Sequence, residues 1–300
     1  MTEVNSATAN ASTAGIGRAV SFGARRLLGG HRMGLVDKLA FALVALLVLV
    51  SVVGLFLTPH DPFAVDTKEA LLPPGDGHVF GTDDVGRDVL SRMLAGAGRT
   101  LLVAVGIVLA ATVIGVAVAS VASLMPRWLD EAVMRVCDIL MSLPSLVLAL
   151  GLAAALGPSM MSIVLAMVAT SWPATARLMR NILRETMTSS YVESARILGM
   201  TRLRLMRSHV LPNSMDAIYV QASIEISGTI VMISGLAFLG VGAPPPSPDW
   251  GSLIAAGQDY ITTAWWIALF PGLAVTAAAI AFGLAGDAIR SSVDPSSRRS

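Results

Sequence analysis

The sequence predicts an all-α polytopic membrane protein with six transmembrane helices, and three observations lead there. Of 300 residues, 54% are hydrophobic and only 14% charged, with mean hydropathy +0.71, whereas an average soluble domain carries about a quarter charged residues. Long charge-free runs recur along the chain, close to the roughly 20 residues that a helix needs to cross a bilayer. The basic residues are shared unevenly among the segments between those runs. Net charge is only +1, so there is no global basic field for nucleic acid. The one cysteine, Cys137, excludes an intrachain disulfide and speaks against a cysteine-based metal site. Spans and loops together leave no room for a large separate catalytic domain.

Residues 1–37 read as a cytoplasmic tail. Its first 15 residues, rich in Ala, Thr, Ser and Asn, lack an apolar period and are expected to be disordered. Arg18, Arg25, Arg26, His31, Arg32 and Lys38 follow as topology-setting charge that contacts membrane lipid. The membrane domain covers 38–290, and its first span, 39–58, is charge-free and closed by Pro59-His60-Asp61-Pro62. A cleaved signal peptide would have a shorter apolar core and a small-residue cleavage site, which Leu57-Thr58-Pro59 does not supply. An external loop, 59–100, separates it from the second span, 101–125. The run between Asp138 and Arg177 is too long for one crossing, and Gly157-Pro158 divides it into spans 139–156 and 159–176. The fifth and sixth spans are 217–240 and 264–286, and a short cytoplasmic tail, 291–300, ends the chain. No short-period repeat is present.

With the N-terminus inside, 17 basic residues face the cytoplasm and 4, Lys68, Arg87, Arg92 and Arg99, lie outside. The positive-inside rule therefore selects an even number of spans with both termini cytoplasmic.

The loop 177–214 holds seven arginines and is the main intracellular feature. Val192, Ala195, Leu198, Met200, Leu203, Met206 and Val210 recur three or four apart, which fits amphipathic helices turned at Gly199, with Thr201 placed to cap the second. By composition alone such a basic helix lies on anionic headgroups. The order of residues points further. Glu193-Ser194-Ala195, then Gly199, then His209-Val210-Leu211-Pro212 resembles the EAA motif of binding-protein-dependent ABC importer permeases, with Ser194 in place of the usual first alanine. The resemblance implies that Glu193, Ala195, Leu198, Gly199, Arg202, Arg204 and Pro212 couple the chain to a cytoplasmic ATPase. Ala195 and Gly199 would permit close backbone approach, while Leu198, Met200 and Leu203 would enter an apolar groove.

Other stretches resemble the same family from about Asp37 to Pro295. Gly81-Thr82-Asp83-Asp84-Val85-Gly86-Arg87-Asp88 is similar to the external signature of the C-type permease subunit of dipeptide, oligopeptide and nickel importers. The charges there suit an ordered turn with internal ion pairs. The spacing lacks the alternating oxygen ligands and closing Glu of a calcium loop. Asp138-Ile139 with Ser142 and Pro144 resembles the family's opening of the third span. Phe238-Leu239-Gly240 through Trp250-Gly251, and Gly286-Asp287 with Asp294-Pro295, resemble its later segments. Two departures stand out: Ser291 replaces a usual aspartate, and Val231-Met232-Ile233-Ser234 lacks an acid common in relatives. The resemblance implies a type I ABC importer transmembrane domain that forms half of a pathway for dipeptides or oligopeptides. Nickel or another peptide-like solute is the alternative, and a channel or receptor outside the ABC class is a further one. Implied partners are a second homologous permease subunit, one or two cytoplasmic ATP-binding subunits, and an external solute-binding protein.

Glu225 is the only acid well inside a span, with Gln221 one turn before it. Intramembrane acids face bundle interiors or water-filled cavities. The pair either lines the translocation path or bonds to a neighbouring helix or subunit.

No Walker A loop occurs, so ATP and Mg are expected on partner ATPases and no cofactor on this chain. The four histidines lack an H-x-x-x-H pair, and two fall on each side of the membrane, which argues against a metal site that they share. No G-x-S-x-G, rhomboid-like G-x-S-G or G-x-G-D is present, so the chain is expected not to be an enzyme.

Overall fold

A computed structural model describes residues 34–75 and 77–293. The expectations for most of the N-terminal tail, and for Asp294-Pro295 with the residues after it, lie outside the described residues. In chain order the main helices are α1 (Leu35–Val53), α2 (Val89–Leu124), α3 (Arg127–Met141), α4 (Ser145–Leu156), α5 (Met160–Met187), α6 (Ser190–Ile197), α7 (Arg202–Leu205), α8 (Met215–Leu236), α9 (Trp250–Gly257) and α10 (Trp266–Val293).

Among the described residues, four helices are long and apolar enough to cross a membrane: Leu35–Val53, Val89–Leu124, Met215–Val241 and Trp266–Ser292. The pair α3–α4, bent by 86°, would make a fifth. The expected count of six is therefore not reached by length and composition. α4 has 12 residues, about 18 Å at 1.5 Å per residue, short of the roughly 30 Å hydrocarbon core. The third span is also not one rod from 139 to 156. Pro144, expected inside its first turns, instead stands at the N-cap of α4. It lacks an N–H and disfavours helix at Leu143, so the chain turns there.

Helix ends differ from the span ends for a common reason. α2 begins at Val89, inside the segment expected as an external loop, because Asp88 caps it through a 2.8 Å hydrogen bond from the Ser91 N–H. α5 runs on to Met187, well beyond Arg177. Charge marks where the membrane ends, whereas hydrogen bonding and caps decide where a helix ends. The tight turn at Gly157-Pro158 is present, with Gly157 at φ 86° and Ser159 capping α5 through the Ser162 N–H at 3.0 Å.

The core is built from small and branched side chains. α2 packs along α5, and α8 along α10. Ala97, Ala104 and Ile107 of α2 meet Ile163 and Ala166 of α5, Ile230 and Leu236 of α8, and Ala278 of α10. Alanine-rich faces bring helix backbones close, the packing that membrane bundles use in place of a hydrophobic driving force. Large apolar residues such as Leu46, Leu49, Leu102, Leu109 and Leu273 are left exposed on the outer surface, as a lipid-facing or subunit-facing bundle requires.

Candidate functional site

The loop between α5 and α8 is built on α6. That helix stops in a Schellman arrangement: Gly199 takes φ 86°, its N–H reaches the Arg196 carbonyl at 3.0 Å, and the Met200 N–H reaches the Ala195 carbonyl at 3.2 Å. Thr201 stands at the N-cap of α7, but its side chain makes no capping bond. A π-type turn, Met206–Val210, and a single helical turn, Leu211–Asn213 with Pro212 near its start, lead into α8.

The evenly spaced apolar residues of this loop do not share one face. Val192, Ala195, Leu205, Met206 and Val210 are buried against Met179 and Leu183 of α5 and Ile218 of α8. Leu198 is 85% exposed, Ile197 81% and Leu203 54%. Ala195, expected to meet a partner, is therefore packed inside this chain, and Met200 leans on the same internal cluster. Val192 and Ala195 lie three residues apart on the inward face of α6, and after the turn at Gly199 the inward places fall to Leu205, Met206 and Val210 while Leu203 stays exposed. Glu193, Gly199, Arg202, Arg204 and Pro212 all lie on the open surface. The periodicity did not single out Ile197, which is one of the most exposed apolar residues of the loop.

At the opposite end of the bundle the Gly81–Asp88 segment folds as a cap. Asp83 is its hub. One carboxylate oxygen accepts from the Val85 and Arg87 N–H groups at 3.1 and 2.9 Å. The other takes Arg87 Nε at 2.7 Å and lies 3.3 Å from Arg92 Nη1. The expected internal ion pairs are thus present, with Asp84 a longer partner of Arg87 at 3.8 Å. Gly86 takes φ 84°, and a Cβ there would collide with the Asp66 carbonyl. The cap is pinned to two other segments: Trp266 Nε1 donates to the Thr82 carbonyl at 3.1 Å, and Arg92 Nη2 donates to the Ser247 carbonyl at 3.3 Å.

The cap also brings together residues that are distant in sequence. The His60 and His78 rings lie 4.7 Å apart, and both face Asp88. The expectation that the histidines share no metal site rested on their spacing and on their two-and-two division across the membrane. The expectation treated them as a set of four, whereas the two in the loop after α1 meet across a fold that spacing does not reveal. Burial pulls the His78 pKa down, but hydrogen bonds to Asp88 and Glu69 outweigh it and hold the imidazole above its ordinary value.

Midway along α8, Gln221 Nε2 donates to Glu225 Oε1 at 2.8 Å, and Thr175 Oγ1 of α5 approaches the same oxygen at 3.5 Å. Glu225 lines a cavity of about 280 Å³ with Ile107, Met167, Thr170, Ser171 and Thr229. Glu225 thus reaches a neighbouring helix and also borders this cavity.

Bundle, bent helix pair and protruding apolar loop define a multi-pass helical membrane subunit. The family described as binding-protein-dependent transport system inner membrane component matches residues 92–299, and the chain belongs to that family of ABC importer permease subunits. Its relatives include the probable D,D-dipeptide transport system permease protein DdpC of Escherichia coli, 39% identical over 84% of this chain and 85% of that protein. A putative peptide transport system permease protein of Brucella abortus is 38% identical over 98% of both chains. The di/tripeptide transport system permease protein DppC of Pseudomonas aeruginosa is 36% identical over 88% of this chain and 89% of its own length. Among solved structures, the inward-facing MetNI methionine ABC transporter superposes with TM-score 0.56 at 18% identity, covering 68% of this chain and 96% of the matched chain. That likeness speaks to the fold: an all-α ABC importer transmembrane domain.

Proposed function

We propose that the chain is the C-type permease subunit of an importer for dipeptides or oligopeptides, and that α6 with its exposed end is the element through which cytoplasmic ATPases move it. Relatives named for dipeptide and peptide transport, matching nearly end to end, support the substrate class. The observation that carries the coupling role is the apolar pair Ile197 and Leu198, held out by a loop whose other face is packed into the bundle. An exposed apolar tip with Glu193, Arg202 and Arg204 around it matches the make-up of a protein interface: apolar centre, polar rim.

In this reading ATP and Mg bind the partner ATPases, and this chain catalyses nothing itself. Both termini and the α6 loop are cytoplasmic, following the 17-to-4 division of basic residues. The Gly81–Asp88 cap faces outward, where an external solute-binding protein delivers its load, and a second permease subunit completes the pathway. ATP-driven closure then pulls α6. Because α6 is packed on α5 and shares a buried cluster with Ile218 of α8, that pull biases the whole bundle between outward and inward access.

The test uses a strain that lacks the chain. Wild-type protein is expected to restore uptake of labelled dipeptides, and Leu198→Asp to abolish uptake and ATPase copurification while the protein still reaches the membrane. Restored nickel accumulation without dipeptide uptake would move the substrate to the alternative. Unchanged ATPase copurification would remove the coupling assignment.

A further inference from the structure

Beside the cap, His60 and His78 both face Asp88, and His78 also faces Glu69. His78 Nε2 lies 3.1 Å from Glu69 Oε2, and its Nδ1 lies 2.9 Å from Asp88 Oδ1. A neutral imidazole has one N–H and one lone pair. With Nε2–H donated to Glu69, Nδ1 faces an Asp88 oxygen, and either a proton on Nδ1 or a metal ion shared with Asp88 satisfies that contact. An imidazole whose far nitrogen donates to a carboxylate while the near one faces a second ligand is the usual arrangement around bound transition metals.

The remaining geometry fits such an ion. The His60 ring lies beside His78, and its Nδ1 is 3.8 Å from Asp88 Oδ2. One ligand atom from each of His60, His78 and Asp88 can be chosen so that all lie within 4.8 Å of one another. Metal–nitrogen and metal–oxygen distances near 2.0–2.2 Å place tetrahedral ligands about 3.3 Å apart, between the 2.9 and 3.8 Å separations found here. His60 is anchored by its own N–H to Ser91 Oγ at 2.9 Å, and Asp88 is fixed as the N-cap of α2. The ligands thus sit on three segments that already meet: the chain after α1, the turn at His78, and the start of α2. The His60 side chain is 46% exposed, which leaves room for a water as fourth ligand and for entry of the ion.

We propose that His60, His78 and Asp88 bind one divalent transition-metal ion of the zinc type, with Glu69 orienting His78. Two imidazoles and a carboxylate select such a borderline cation over calcium or magnesium, which take oxygen ligands. The ion would tie the cap to α2. This is independent of the substrate and of the ATPase contact.

The full chain, purified in detergent without a histidine tag and stripped with chelator, is dialysed against buffered free zinc, and bound metal is counted by mass spectrometry. One zinc per chain is expected, with a thermal unfolding temperature that rises with zinc. His78→Ala should lose the ion, and Glu69→Gln should bind roughly 10–100-fold more weakly. His60→Ala removes an exposed ligand and leaves the His78 contacts to Glu69 and Asp88 in place, so weak binding by a normally folded His60→Ala chain separates ligand loss from misfolding. His209→Ala, far from the cap, should bind as wild type. No zinc on the wild-type chain, or equal zinc on the His60→Ala/His78→Ala double variant, would overturn the site.

Discussion

Arg180 of α5 grips both oxygens of Asp130 on α3, Nε to Oδ1 at 2.7 Å and Nη2 to Oδ2 at 2.6 Å. Arg184, one turn on, meets the same Oδ2. Asp130 is buried, so this fork fixes the bent helix pair against α5 close to the start of the α6 loop. Breaking a buried pair strands the remaining charge, which costs about 3–5 kcal/mol. Asp130→Ala should therefore lower the thermal stability of the purified chain by that order, and Arg180→Lys, which loses the planar fork, should cost less. Stability of Asp130→Ala equal to wild type would show that the fork contributes nothing.

Packing and docking in the α6 loop can be separated with two substitutions. Ala195 is only 8% exposed, so Ala195→Phe should overpack the cluster around Met179 and Leu183 and cost about 1–3 kcal/mol. Leu198→Ala, at 85% exposure, should leave stability within about 0.5 kcal/mol of wild type. Leu198→Ala should nonetheless reduce transport severalfold. Parallel melting curves and uptake rates check both halves.

Gly86 tests the cap. Ala at this position combines a positive φ with a Cβ driven into the Asp66 carbonyl. The expected cost exceeds the roughly 1 kcal/mol of an unstrained glycine replacement. Limited proteolysis should show faster cleavage between residues 59 and 88 in Gly86→Ala than in wild type.

Glu225→Gln keeps the shape and the contact to Gln221 but removes charge from the cavity. We expect assembly with partner subunits to be intact and dipeptide uptake to change by severalfold or more, since an intramembrane acid beside a cavity is placed to meet a cationic group of the solute. Normal uptake of every dipeptide tested would leave the bond to Gln221 and the approach of Thr175 as its whole role.

Much of this was legible in the chain itself. Hydropathy marked α1, α2, α8 and α10, because an apolar run of that length has few other solutions. Gly199 and Gly157 were legible as turns, and Asp83, Arg87 and Arg92 as an ion-paired segment, since those depend on local backbone freedom and near neighbours. The break before Pro144 was not foreseen, because a proline near a helix start is tolerated or disruptive according to where the cap falls. The inward turn of Ala195 was missed because its outward role was carried over from the motif, whereas it lies three residues after Val192 on the helix face that packs on Met179 and Leu183.

The sequence by itself determined that this is a helical, multi-pass membrane subunit, and through its motifs it pointed to the family. Those features are written in composition and short-range order. Only the tertiary structure decided which apolar residues of the α6 loop stay outside, that Asp130 is shared by Arg180 and Arg184, and that His60, His78, Glu69 and Asp88 converge. These are relations between segments distant along the chain. They arise when helices pack and the loops between them are drawn to common points, which no local periodicity encodes.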